Sequence, residues 1–381
     1  MTRVAFFLAT SGHSGVDRVM TNLITEFAGR GLSVDLLRIA GHGPYLDPVP
    51  PGVRRVDLGT AHVNTSLPAL VRYLKRERPA ALLTDKDRVN RVALWARRLA
   101  GVPTRLAVRV GTTVSENLAR RGWWDRQVQY LSIRRFYQWA DAVIVPSRGA
   151  AEDLARIGGW PPGRIQVIPS PVVDDRLVTI AGEGVDHPWL NDPDGPPVIL
   201  GVGELGPRKD FATLIRAFAI VHRHRPCRLI ILGRGRQKEK LVRMADSLEV
   251  SESVSFPGFV VNPYAFMARA DLFVLSSTCE GAPVVLMEAL GLGVPVISTD
   301  CPSGPREILQ GGRYGPLVPV GDPEALAGEI RRLLSAPTAA EHLKEAAHPF
   351  RVSQSADRYL AALGIDPVSL KLDSSRPNPA S

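Results

Sequence analysis

Two acids, two adjacent cations and a handful of glycines are the residues here best suited to chemistry. Glu280 and Glu288 stand with seven residues between them, Gly281, Ala282 and Pro283 directly after the first acid. Pro283 opens an apolar segment, residues 284–292, that stops at Gly293. Proline suits the first turn of a helix, where its missing N–H has no intrahelical partner to lose. The N–H groups of Gly281, Ala282, Val284 and Val285 then point out of the helix start, where the helix dipole favours an anion such as phosphate. Gly281 carries no side chain and lets a ligand come close to the backbone. Glu288, more than a turn further in, is placed to accept hydrogen bonds from sugar hydroxyls, and Glu280 to stand beside whatever the phosphate carries. Acids on either side of an anion site fit a sugar nucleotide better than a bare phosphate. Taken alone, the pair also reads as a solvated loop acid and a helix-surface acid.

The cations lie in Gly201-Val-Gly203-Glu204-Leu-Gly-Pro-Arg208-Lys209-Asp210, after an apolar run and before a helical pattern. Paired glycines followed by Arg208 and Lys209 suit a diphosphate. Gly233-Arg234-Gly235 is a further glycine loop after an apolar run, and Thr10-Ser-Gly12-His-Ser-Gly15 another near the start. Gly12 and Gly15 are candidates for close approach to a ligand, and a plain tight turn explains them equally. His13 in the same loop has a titratable ring, yet nothing beyond a place near a site is read from it. Lys86 and Asn90, at a strand end leading into a helix, are candidate acceptor-site residues as well as ordinary capping and surface groups.

Strand and helix patterns alternate to position these groups. Apolar runs at residues 4–9, 32–39, 80–84, 105–110, 140–146, 198–202, 227–232, 272–275 and 295–299 read as buried strands, with helical periodicity between them. That alternation predicts parallel sheets covered on both faces. At 381 residues the chain has room for about two domains. A proline-, glycine- and acid-rich stretch over 174–197 marks the link. The expected division is 1–185 and 186–350, with 371–381 a disordered tail.

Charge is uneven between the halves. Residues 1–176 hold 26 Lys+Arg against 15 Asp+Glu, a balance of +11, and the rest hold 21 against 23, or −2. A basic first half suits an anionic partner: a membrane surface, a phosphate-bearing acceptor or nucleic acid. Residues 120–139 interleave arginines with Trp123, Trp124, Phe136, Tyr137 and Trp139. The mix fits a lipid headgroup layer, and it fits a helix with its aromatics inward. No apolar run approaches the roughly 20 residues of a membrane span, and no signal peptide is read at the start. Cys227, Cys279 and Cys301 offer no paired framework, so a cytoplasmic protein is expected, at the inner face of a membrane if the basic half binds one.

Glu280-Gly281-Ala282-Pro283 with Glu288 resembles the E-x7-E motif of retaining glycosyltransferases, in particular family 4 of the two-domain GT-B enzymes. The opening SGHSGVDRVMTNLITEFAGRGLSVDLL, the glycine–lysine loop at 201–210 and the run ADAVIVPSRGAAEDLARIGGWPPGRIQVIPSPVV resemble the same family, in the same order, over roughly residues 3–365. The resemblance implies an α/β fold of two Rossmann-like domains facing each other across a cleft, with a final helix at about 352–365 crossing back to the first. It implies transfer of a sugar from a UDP- or GDP-sugar to a lipid-linked or surface-glycan acceptor, with retention of anomeric configuration. The nucleotide sugar is then a co-substrate; no separate cofactor, metal or nucleic-acid partner is expected. Glu280, Lys209 and Arg208 take catalytic places, and Glu288, Gly281, Ala282, Pro283, Val284, Gly203, Gly233, Gly12 and Gly15 donor-binding ones. The pattern departs from the family at Glu204, where an arginine is usual, at Arg109-Val110-Gly111-Thr112-Thr113, which lacks a histidine, and at Ser170, usually asparagine. An epimerase or phosphorylase on the same architecture, or a non-enzymatic polyanion- or membrane-binding protein, is the alternative.

Overall fold

The computed structural model describes residues 2–12, 14–119, 122–161 and 163–367. His13, Arg120, Arg121 and the expected tail fall outside the described residues. The chain divides into two units. One takes the chain as far as Val172 and resumes at Phe350; the other is Val173–Pro349.

The first unit holds β1 (Arg3–Phe7), β2 (Ser33–Arg38), β3 (Val53–Asp57), β4 (Ala81–Asp85), β5 (Arg105–Arg109), β6 (Ala142–Val145) and β7 (Ile165–Val167). All pair in parallel, in the order β3-β2-β1-β4-β5-β6-β7. The second holds β8 (Val198–Val202), β9 (Arg228–Leu232), β10 (Val254–Gly258), β11 (Leu272–Leu275), β12 (Val296–Thr299) and β13 (Leu317–Val318). They too are parallel, in the order β10-β9-β8-β11-β12-β13. Each order reverses beside its first strand, at β1/β4 and at β8/β11. Such reversals open a crevice at the carboxyl ends of the strands. Strands buried on both faces explain the continuous apolar runs: every side chain of β8, β11 and β12 is buried.

The division falls at Val172/Val173 and not at 185/186. The helix Asp175–Ala181 explains the difference, because it docks on the second unit. Asn262 donates to the Ile180 carbonyl at 2.8 Å, and Gly291 leaves room for Val173 and Leu177. Proline and acid composition marked an irregular stretch without showing which body its first helix packs on. The helix Val352–Ala362 belongs to the first unit, where Arg30 pairs with Asp357 and Arg105 donates to the Ala362 carbonyl at 2.9 Å.

The missing histidine of the first unit has a physical counterpart. The Arg109 guanidinium, at the end of β5, is buried and pairs with Asp85 at the end of β4. It also donates to Tyr359 Oη at 3.0 Å and Ser170 Oγ at 3.3 Å, so the serine hydroxyl keeps a hydrogen bond at that turn. Asn90, a candidate acceptor residue, is a buried strut instead. It accepts from Thr84 and donates to the Arg109 carbonyl and to Tyr137 Oη. Lys86 remains exposed, with Nζ 3.4 Å from the Ala9 carbonyl.

Candidate active site

In the second unit the sequence-singled residues converge through a short series of contacts. Gly233, after β9, sits at φ 139°, and a side chain there would overlap the carbonyl oxygen of Gly203. Gly203, after β8, donates its N–H to the Leu232 carbonyl at 2.9 Å. A Cβ at Gly203 would stand 2.7 Å from Lys209 Cε, so the absent side chain is the space through which the lysine stem runs. Lys209 Nζ then reaches Glu280 Oε1 at 2.7 Å. Arg208 completes the cluster, its guanidinium 3.3 Å from Glu280 Oε2. Glu204, at the position where the resemblance leads one to expect an arginine, is exposed.

Three hydroxyls hold these loops in register, and sequence reasoning missed them. Ser277 donates to Glu280 Oε1 at 2.8 Å, Ser276 to the Lys209 carbonyl at 2.8 Å, and Thr278 to the Arg208 carbonyl at 3.3 Å. The only signal was a serine three residues before the acid in a strand-end loop. On the other side the segment after β12 is zipped to the acid: Glu280 N–H donates to the Pro302 carbonyl at 2.6 Å and Ser303 N–H to the Glu280 carbonyl at 2.7 Å. A Cβ on Gly304 would lie 2.8 Å from both Gly281 O and Pro283 Cδ.

The helix that follows runs Val284–Gly291, with Pro283 as its N-cap rather than its first helical residue. No side chain caps it. Among the described residues the N–H groups of Ala282, Val284 and Val285 take no protein acceptor. A helix start without a capping oxygen leaves donors for a ligand oxygen. The helix at the first glycine loop differs. There Ser14 and Asp17 form a capping box at the start of Gly15–Gly29, and the Asp17 carboxylate accepts from Ser14 N–H at 2.8 Å and from the Thr10 hydroxyl. Gly12 lies against Tyr45 and Gly43, and its φ of 88° is what that turn requires. Gly12 and Gly15 lie in the first unit; in the second, Gly203, Gly233, Arg208, Lys209, Glu280, Gly281, Ala282, Pro283 and Val284 come together.

Neither acid is a solvated surface group: Glu280 is 7% exposed and Glu288 1%. Glu288 is the one polar side chain in VVLMEALG, and Tyr264 Oη donates to its Oε1 at 3.0 Å. A carboxylate at such depth is expensive unless hydrogen bonds compensate it. Tyr264 precedes Glu288 by 24 residues, a separation that carries no periodic signal. Burial by itself disfavours ionised Glu280, but Lys209 and Arg208, helped by Ser277, more than offset this and hold its pKa below the ordinary 4.5. A lowered folded pKa means stability that is present above the unfolded value and lost as pH falls through the folded one. Wild type is therefore expected to exceed Glu280→Gln in urea midpoint at neutral pH, with the gap closing over the acid range below the ordinary 4.5, as pH falls through the lowered folded value. Equal slopes for the two proteins across that range would contradict an ionised Glu280.

The family model of glycosyl transferases group 1 matches residues 185–349, and that of the glycosyl transferase 4-like domain residues 14–171. The chain is 31% identical over 248 residues to the N-acetylgalactosamine-N,N'-diacetylbacillosaminyl-diphospho-undecaprenol 4-alpha-N-acetylgalactosaminyltransferase of Campylobacter jejuni, covering 65% of each protein, just under two thirds. It is 27% identical over 376 residues to the lipopolysaccharide core biosynthesis glycosyltransferase LpsE of Rhizobium meliloti, covering 93% of this chain and 96% of the relative. Among solved structures, Anabaena HepE in complex with UDP superposes with a TM-score of 0.75 at 18% identity, over 96% of this chain and all of the other, a likeness of fold.

Proposed function

This chain belongs to the group 1 glycosyltransferases of GT-B fold, and from that premise we propose that it moves a sugar from a nucleotide-diphospho-sugar to a lipid-linked or surface-glycan acceptor, with retention of anomeric configuration. One observation carries the donor side of this reading. Lys209 and Arg208 meet on buried Glu280 at the mouth of an uncapped helix whose first N–H groups take no protein acceptor. The donor diphosphate lies at Ala282, Val284 and Val285, held by N–H groups. The two cations beside it balance the negative charge that grows on the leaving nucleoside diphosphate, the kind of fixed stabilisation that lowers a barrier most. Glu280 faces the transferred sugar and holds Lys209 in place. Glu288, fixed by Tyr264, contacts the ribose.

The acceptor side rests on the relatives. The Campylobacter enzyme acts on a diphospho-undecaprenol substrate and LpsE in lipopolysaccharide core synthesis, so both serve lipid-attached glycans. UDP in the HepE complex supports a uridine donor. The test is a thermal-shift screen of UDP-, GDP- and ADP-sugars on wild type and Glu288→Gln. One nucleotide series is expected to raise the melting temperature of the wild type, and the variant is expected to lose about two thirds or more of that shift, a loss of one or two hydrogen bonds to a charged group. No shift with any nucleotide sugar would overturn the proposal.

A further inference from the structure

The helix Trp123–Phe136 turns one face inward and leaves the other bare. Ser132 and Ile133 are buried, while Trp124, Val128 and Leu131 are 74%, 54% and 58% exposed. Their spacing of four and then three residues puts them in one stripe. On the neighbouring helix Asp87–Ala100, Trp95 and Leu99 are exposed too, and the Trp95 ring packs edge-on against Phe136 and Trp139 at 5.5 and 5.0 Å. Isolated apolar residues on a surface need no explanation, but several on neighbouring helices, two of them tryptophans, do.

The charge around the patch says what covers it. The helices Asp87–Ala100 and Trp123–Phe136 carry seven arginines against two aspartates, a balance of +5. Arg98 lies over the Trp139 ring at 4.9 Å, and Arg135 is exposed beside the stripe. Tryptophan with arginine at an apolar margin is the composition of an interfacial layer, where the ring enters the headgroup region and the cation meets lipid phosphate. A second copy of the chain fits poorly, because apposing two such arginine-rich helix pairs sets like charge against like. Among the described residues no helix is long and apolar enough to cross a membrane, so this surface would lie on the bilayer and not in it.

We propose that the face formed by Trp124, Val128 and Leu131 with Trp95, Leu99 and Arg135 docks on an anionic lipid surface. The inference rests on the reading of a lipid-held acceptor, and it is tested without donor or acceptor. The full chain is sedimented with vesicles of phosphatidylcholine alone, or with about 30% phosphatidylglycerol added. Wild type is expected to sediment with the anionic vesicles only, less so as salt rises. Trp124→Ser with Leu131→Ser, and separately Arg135→Glu, are expected to weaken this about tenfold, with melting temperature and nucleotide-sugar thermal shift unchanged. Wild type left in the supernatant, or both variants bound as well as wild type, would overturn the proposal. So would sedimentation equilibrium showing a dimer that the double serine variant abolishes, since a second copy would then own the face. Loss of the nucleotide-sugar shift in wild type would instead sink the transferase reading and leave the vesicle result standing.

Discussion

Replacing Lys209 with methionine is expected to cut turnover about a thousandfold and to destabilise the second unit by about 3 kcal/mol. The two losses have different causes. The stem of Lys209 packs over Gly203, a place that methionine fills with similar volume, so little packing is lost. What goes is the ammonium 2.7 Å from Glu280 Oε1. Glu280 then remains buried without its nearest cation, the half-exposed Arg208 and the Ser277 hydroxyl staying beside it. A stranded buried carboxylate accounts for the stability loss. On the proposed reaction, the rate loss follows from removing a fixed cation beside the leaving diphosphate. The double variant Lys209→Met/Glu280→Gln separates them. It no longer buries a carboxylate that has lost its nearest cation and should regain most of the stability, yet none of the turnover. Urea melts and single-turnover transfer on the three proteins decide the matter. Recovery of turnover in the double variant would mean that Lys209 acts only by neutralising Glu280.

Gly233→Ala is expected to be the most damaging single-methyl change in the second unit, at about 4 kcal/mol or more, enough to leave little folded protein. At φ 139° an alanine is strained whatever its surroundings, and here the new methyl would overlap the Gly203 carbonyl oxygen, which is backbone and cannot turn aside. Relief requires the loop after β8 to move, and that loop carries Lys209. Gly311→Ala is the control: it also has positive φ, at 71°, but open space where the Cβ would stand, so its cost is conformational alone and about 1 kcal/mol. Far-UV circular dichroism and urea midpoints compare the two; equal losses would mean that the Gly203 contact yields freely.

Much of this was legible before any coordinates. Residues 198–202 and 272–275 were read as strands and are strands to the residue, because runs buried on both faces are apolar throughout. Helical starts were less legible. The helix expected to follow the strand end at Lys86 and Asn90 already begins at Asp87, since its first turn is polar and hides the period. Short helices such as Asp175–Ala181 and Pro263–Met267 escaped notice, being too brief to repeat a pattern.

Residue chemistry and spacing along the chain were enough to name two parallel α/β units and to single out Glu280, Glu288, Arg208 and Lys209, because local periodicity and strand-end loops are written in neighbouring residues. Three things waited for tertiary structure: that Lys209 and Arg208 close on Glu280, that Tyr264 holds Glu288, and which side of Trp123–Phe136 stays bare. Each joins residues on different elements, or depends on what packs against a helix. Such contacts are set by how sheets and helices stack, and spacing along one strand of sequence does not encode them.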